Sequence, residues 1–132
     1  MTQEDKELLL KDICTRLPYG VKCVIFDKKI EFGGFDGKYP FILDGITVES
    51  DGVDVWLEKA NFSLETIKPY LRSMSSMTPD ERFEYDELNH FYTKGLTFNV
   101  DEIDWLIVHH FDFRGLIEKG LALEAPEDMY KN

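Results

Sequence analysis

His109, His110 and Asp112 fall within one short run, Trp105-Leu-Ile-Val-His-His-Phe-Asp-Phe-Arg114. Two imidazoles and a carboxylate are the side chains of a zinc site or of a general acid–base pair. Asp104 or His90 would supply a fourth ligand. A metal would need these groups to converge about 2 Å from one ion. Neighbouring residues on a helix diverge by about 100°. A regular helix therefore puts His110 with Ile103, Leu106 and Ile107 on the apolar side, and His109 near Glu102 on the polar side. A helix ending at His109 would splay the pair differently. The run contains no His-Glu-x-x-His, no His/Cys cluster and no two-carboxylate glycosidase signature.

The same residues have a structural reading, and it is the favoured one. His110 becomes a core histidine satisfied by a carbonyl or carboxylate. His109 becomes a helix C-terminal residue, favoured by the dipole when protonated. Asp112 and Arg114 pin a turn through an ion pair or bidentate contact, with Phe111 or Phe113 packed inward. Four further residues are candidates for binding: Arg72 beside Tyr70 and Leu71, Arg114, Trp56 and Trp105. No Walker loop, dinucleotide fingerprint or nucleophile elbow is present, and no cofactor is implied. Gly33-Gly34-Phe-Asp-Gly37 lacks a following helix and lysine, so it reads as a hairpin loop.

The elements that would position these residues are legible in the periodicity. Thr2 to Arg16 reads as a helix, with Thr2 as cap, Glu4 and Asp5 at its start, and Leu9, Ile13 and Leu17 at helical spacing. Pro18 and Gly20 end it. From Val21 to about Glu58 the period is two, punctuated by Gly33-Gly34, Asp36-Gly37, Asp44-Gly45 and Asp51-Gly52. The last pair predicts a type I′ hairpin turn. Trp56 falls on the face opposite Val53, Val55 and Leu57. Ser63 with Glu65 opens a short helix, whereas Pro69 favours an extended Ile67-Lys-Pro-Tyr-Leu-Arg. Ser73 to Met77 is a loop. Thr78-Pro-Asp-Glu81 is a capping box for a strongly acidic helix running to about Tyr92. Gly95 is a break, and Asn99 with Glu102 repeats the box for a helix over 100–109. Ala125-Pro126 begins a polar tail.

The chain of 132 residues is 43% hydrophobic and 14% aromatic, enough to build a core in one domain. The sheet-rich part spans about 18–60, the helical part about 61–124 and the tail 125–132. The net charge of −11 opposes direct binding to nucleic acid or to an anionic membrane. It also fits a protein that imitates the charge of DNA. No apolar run approaches the roughly 20 residues of a membrane span. The start, Met1-Thr-Gln-Glu-Asp-Lys-Glu, lacks signal-peptide features, which points to the cytoplasm. Cys14 and Cys23 read as two buried free thiols, nine residues apart and without zinc-site spacing.

Lys68-Pro-Tyr-Leu-Arg-Ser-Met-Ser-Ser-Met-Thr78, His110-Phe-Asp-Phe-Arg-Gly-Leu-Ile117, Gly120-Leu-Ala-Leu-Glu-Ala-Pro126 and the opening Leu17-Pro-Tyr-Gly-Val-Lys22 together carry a resemblance. The chain resembles a family of small uncharacterised proteins of anaerobic gut bacteria, their phages and mobile elements. That family has proline where this chain has Ser73. The resemblance implies a bacterial cytoplasm and a prophage or mobile-element origin, and brings no catalytic residue with it.

The expectation is one α+β domain: an N-terminal helix, an antiparallel meander or small partly open barrel, and a C-terminal helical half. Its expected function is a non-enzymatic accessory module that binds a protein. The alternatives are an acidic DNA mimic that inhibits a nucleic-acid enzyme, and a small metal-dependent or acid–base enzyme using His109, His110 and Asp112.

Overall fold

A computed structural model describes residues 1–25, 40–90 and 100–130, without the side chains of residues 89, 90 and 100. The expected glycine hairpin at 33–37, the break at Gly95 and the cap at Asn99 lie outside the described residues. So does the side chain of His90.

Helix α1 (Gln3–Arg16) opens on a full capping box. Thr2 Oγ1 accepts from the Asp5 N–H at 3.0 Å, and Asp5 Oδ2 accepts from the Thr2 N–H at 3.3 Å. A 3₁₀ turn over Leu17–Tyr19 and the left-handed Gly20 lead into β1 (Lys22–Ile25). Strands β2 (Phe41–Glu49), β3 (Gly52–Leu57) and β4 (Ala60–Ser63) form an antiparallel meander. β5 (Ile67–Leu71) returns to pair with β1, and β6 (Leu123–Glu124) adds a short parallel strand beside β5. The order is β4-β3-β2-β1-β5-β6, an open sheet rather than a closed barrel. α2 (Pro79–His90) and α3 (Val100–Val108) complete the α+β fold.

Among the described residues two apolar clusters hold these layers. Leu9 and Ile13 of α1 pack with Cys23, Ile25, Leu43, Val55, Leu57, Ile67 and Leu71 of the sheet. Leu116, Leu121 and Ala122 close this cluster from the C-terminal segment. A second cluster lies under the later helices, where Tyr85 of α2 and Leu106 of α3 meet Phe111, with Met74, Met77, Trp105 and Phe113 around them. Tyr85 is the only wholly inward aromatic of the described α2 face, so this helix shows its acidic side outward.

The two hairpin turns among the described residues fall elsewhere than the Asp-Gly dipeptides predict. Glu49 pairs with Gly52, so the β2–β3 turn is Ser50-Asp51, and neither residue takes a positive φ. The register follows the buried face of the whole strand pair. Ile46 stands opposite Val55 and, across a bulge at Asp44, Leu43 stands opposite Leu57. The positive-φ turn is instead Glu58-Lys59, between paired Leu57 and Ala60, with φ of 47° and 71°. The Asp44 carboxylate at the bulge accepts from the Lys59 N–H at 3.0 Å and holds this glycine-free turn.

Cys23 is buried, but Cys14 is exposed, contrary to the expectation of two buried thiols. Cys14 lies on the outward side of α1, one residue past the inward Ile13. Burial, with the Asp12 charge nearby, pushes the Cys23 thiol up to about 12. No helix among the described residues is long and apolar enough to cross a membrane.

Candidate functional site

Helix α3 stops at Val108, so the helical projection of the two histidines does not apply to His110. The His110 N–H reaches the Ile107 carbonyl at 3.0 Å and the Phe111 N–H reaches Leu106 at 2.9 Å. This is the Schellman pattern, with His110 at the left-handed position usually held by glycine, at φ 61°. The left-handed residue turns the chain so that His110 is buried although it is off the helix. Its Nε2 lies 2.9 Å from the Tyr19 carbonyl. A carbonyl only accepts, so Nε2 carries the proton and Nδ1 is an acceptor. Burial, aided by the Arg16 charge, lowers the imidazole to about 4, against the opposing pull of the Tyr19 carbonyl. His110 is neutral at pH 7.

His109, half-buried at the helix end, packs on Trp105 one turn earlier, ring centres 4.4 Å apart. Glu102, expected on the polar side beside it, is buried. The helix presents Asp101 and Asp104 outward instead.

Phe111, fully buried, ties the segment to the sheet. The Arg72 N–H donates to the His110 carbonyl and the Asp112 N–H to the Arg72 carbonyl, both at 2.8 Å, making a parallel bridge. The Arg72 guanidinium lies 4.2 Å from the Phe111 ring centre and donates twice to Glu81, at 2.7 and 2.6 Å. Glu81 also closes the Thr78 capping box, accepting from the Thr78 N–H at 3.0 Å. Hydrogen bonds from Arg72 lower the Glu81 carboxyl to about 2.

Asp112 and Arg114 do not pair with each other. The two Asp112 oxygens accept from the Leu116 and Ile117 N–H groups, each at 2.9 Å, and cap the following turn. Arg114 reaches Asp12 of α1 at 2.6 Å instead, with its guanidinium 4.4 Å from the Phe113 ring centre. Asp12 and Arg16 are the residues that sequence reasoning missed. Both are fully buried, and Arg16 grips Asp12 through Nε at 2.9 Å and Nη2 at 3.1 Å. The signal was available: 12 and 16 fall with 9 and 13 on the core stripe of α1, and Asp and Arg stand one turn apart.

Trp105 is half-buried between Tyr85 and Phe111, stacked at 5.6 Å on the latter. Trp56 is half-buried on the sheet face away from α1's core, as its register implies. It lies against Gly45 and donates from Nε1 to Thr47 at 3.2 Å.

The structure thus brings His109, His110 and Arg72 to one place and separates them from Trp56. These three line a polar pocket of about 320 Å³ with Tyr19, Lys22 and Tyr130. Asp112 faces the backbone of its own turn. Among the described residues no three His, Cys, Asp or Glu side chains are grouped to hold a metal ion. The chain is therefore an open-sheet α+β protein whose His-His-Phe-Asp-Phe-Arg segment is bolted to α1 and to Arg72 at the end of β5. Compared with protein-family models, with curated proteins and with solved structures, the chain matches none.

Proposed function

We propose that the chain is a non-enzymatic accessory module that docks on a protein partner through the outer face of α2. The observation that carries this reading is Phe83, 67% exposed on a helix whose exposed neighbours include Asp80, Glu84, Asp86 and Glu87. An aromatic projecting from a carboxylate field suits a partner with an apolar pocket inside a basic rim. The helix is fixed before binding by Tyr85 on its inner side and by the Glu81–Arg72 pair at its start, which lowers the ordering cost of association. Three of the polar side chains considered for chemistry hold the fold instead: Asp112 with backbone, Arg114 with Asp12, Arg72 with Glu81. The mobile-element origin belongs to this proposal on the sequence resemblance alone, and the cytoplasmic setting on that resemblance with the polar, acidic start of the sequence.

A photo-crosslinker placed next to position 83 tests it in bacterial lysate. The expected product is one predominant adduct with a basic protein, weakened by salt and lost in Phe83→Ser while Val48→Ser retains it. The absence of any adduct that depends on Phe83 would sink the idea. A DNA-mimic role is the special case in which the basic rim is a DNA-binding groove. Asp101 and Asp104 extend the exposed acidic set, whereas Glu81 and Glu102 drop out of it. Release of the partner by duplex DNA distinguishes that case.

A further inference from the structure

We infer that the pocket between Lys22, His109 and Tyr19 binds a phosphate group, free or carried as a small monoester. Three parts of the chain meet there. Lys22 begins β1, His109 follows α3, and Tyr19 sits in the turn after α1, with Tyr130 of the C-terminal turn forming a wall. The volume, about 320 Å³, is that of a small-ligand site. The described lining contains no carboxylate, on a chain of net charge −11.

Lys22 is the leading group. It is half-buried, and its Nζ donates to the Met129 carbonyl at 3.1 Å. No carboxylate pairs with it among the described residues. Two of its three N–H donors are therefore available to an anion. Its position is fixed, since its backbone N–H donates to the Tyr130 hydroxyl at 2.9 Å and that hydroxyl donates to the Tyr70 carbonyl at 2.7 Å. His109 and Tyr19 line other sides of the pocket.

The geometry selects phosphate over carboxylate. A planar carboxylate is best met by a guanidinium fork, and the fork here, Arg72, is spent on Glu81. A point charge with single donors from several directions suits a tetrahedral oxyanion. His110, which also lines the pocket, brings no opposing charge: its Nε2 is held by the Tyr19 carbonyl and its Nδ1 is buried. These residues are separate from Phe83, so this inference and the docking proposal stand or fall independently.

The test is an amide-resolved NMR titration of the full chain with inorganic phosphate, at constant ionic strength set by chloride. Saturable shifts confined to Tyr19, Lys22, Val108–His110 and Tyr130 are expected. Lys22→Met and His109→Gln should each weaken binding by about tenfold, with Lys11→Gln unchanged. Each variant's own spectrum reports whether it folds, and His109→Gln suffices if Lys22→Met does not. Shifts that never saturate or scatter over the surface would overturn the inference. So would an equal response to acetate, or wild-type affinity in the folded variants.

Discussion

The Arg16 guanidinium, at the end of the N-terminal helix, donates to the Phe111 carbonyl at 2.6 Å across 95 residues of sequence. The same guanidinium holds Asp12 on its own helix. Removing Asp12 strands a buried cation, whereas removing Arg16 leaves Asp12 still paired with Arg114. Asp12→Ala should therefore cost about 3–5 kcal/mol. Arg16→Met, which replaces the cation by an apolar chain of similar length, should cost clearly less. Urea denaturation at pH 7 gives both values. Equal costs would show that the pair is not what binds the two ends.

Glu81 has a folded-state carboxyl lowered to about 2 from an ordinary 4.5. A carboxyl depressed on folding contributes stability that is complete above its unfolded value and lost as pH falls through its folded value. Glu81→Gln should cost about 1–3 kcal/mol at pH 7, the scale of hydrogen bonds to a charged group. That difference from wild type should shrink as pH falls from about 4.5 towards about 2. A difference independent of pH would separate Glu81 from the ion pair and leave only its cap.

His110 titrates in the opposite chemical sense with the same direction in pH. Its folded form is neutral down to about 4, whereas the ordinary imidazole protonates at 6.5. Below 6.5 the unfolded chain binds a proton that the native chain refuses, so stability falls from pH 6.5 to about 4. The accumulated loss is at most about 3 kcal/mol. His110→Asn keeps a residue that tolerates the left-handed backbone and does not titrate. Its stability should be flatter over this window, measured by denaturant midpoints at successive pH values.

Asp112→Ala discriminates between a turn cap and a ligand. Loss of the two bonds to Leu116 and Ile117 N–H should destabilise by about 1–2 kcal/mol. A melting temperature equal to wild type would mean that the carboxylate is free for chemistry and would revive the metal or acid–base reading.

The Glu58-Lys59 turn predicts a gain. Both residues take left-handed φ values that asparagine and glycine adopt more readily. The double change Glu58→Asn, Lys59→Gly should raise stability by about 1 kcal/mol, because the Lys59 N–H that Asp44 accepts is retained. Denaturant midpoints decide it, and a loss of stability would show that the Glu58 and Lys59 side chains matter more than backbone strain.

Elements whose cause is local were legible in the order of residues alone. The Thr2 and Thr78 caps, the α1 span, the extended Ile67–Leu71 around Pro69 and the inward set Val55 and Leu57 follow from periods and caps that act over a few residues. The sequence also favoured a core His110 met by a carbonyl, as at Tyr19, whereas the turn at Asp112 is held by backbone N–H groups and not by the Arg114 contact it favoured. The pairings came from the packed fold. Which carboxylate meets Arg114, that Arg72 and Glu81 close over Phe111, and that Lys22 approaches His109 depend on contacts between distant parts of the chain. The His-His-Phe-Asp-Phe-Arg run specifies hydrogen-bonding groups, but not their partners. Those were fixed when burial of Phe111 drew α1, β5 and the end of α3 onto one point.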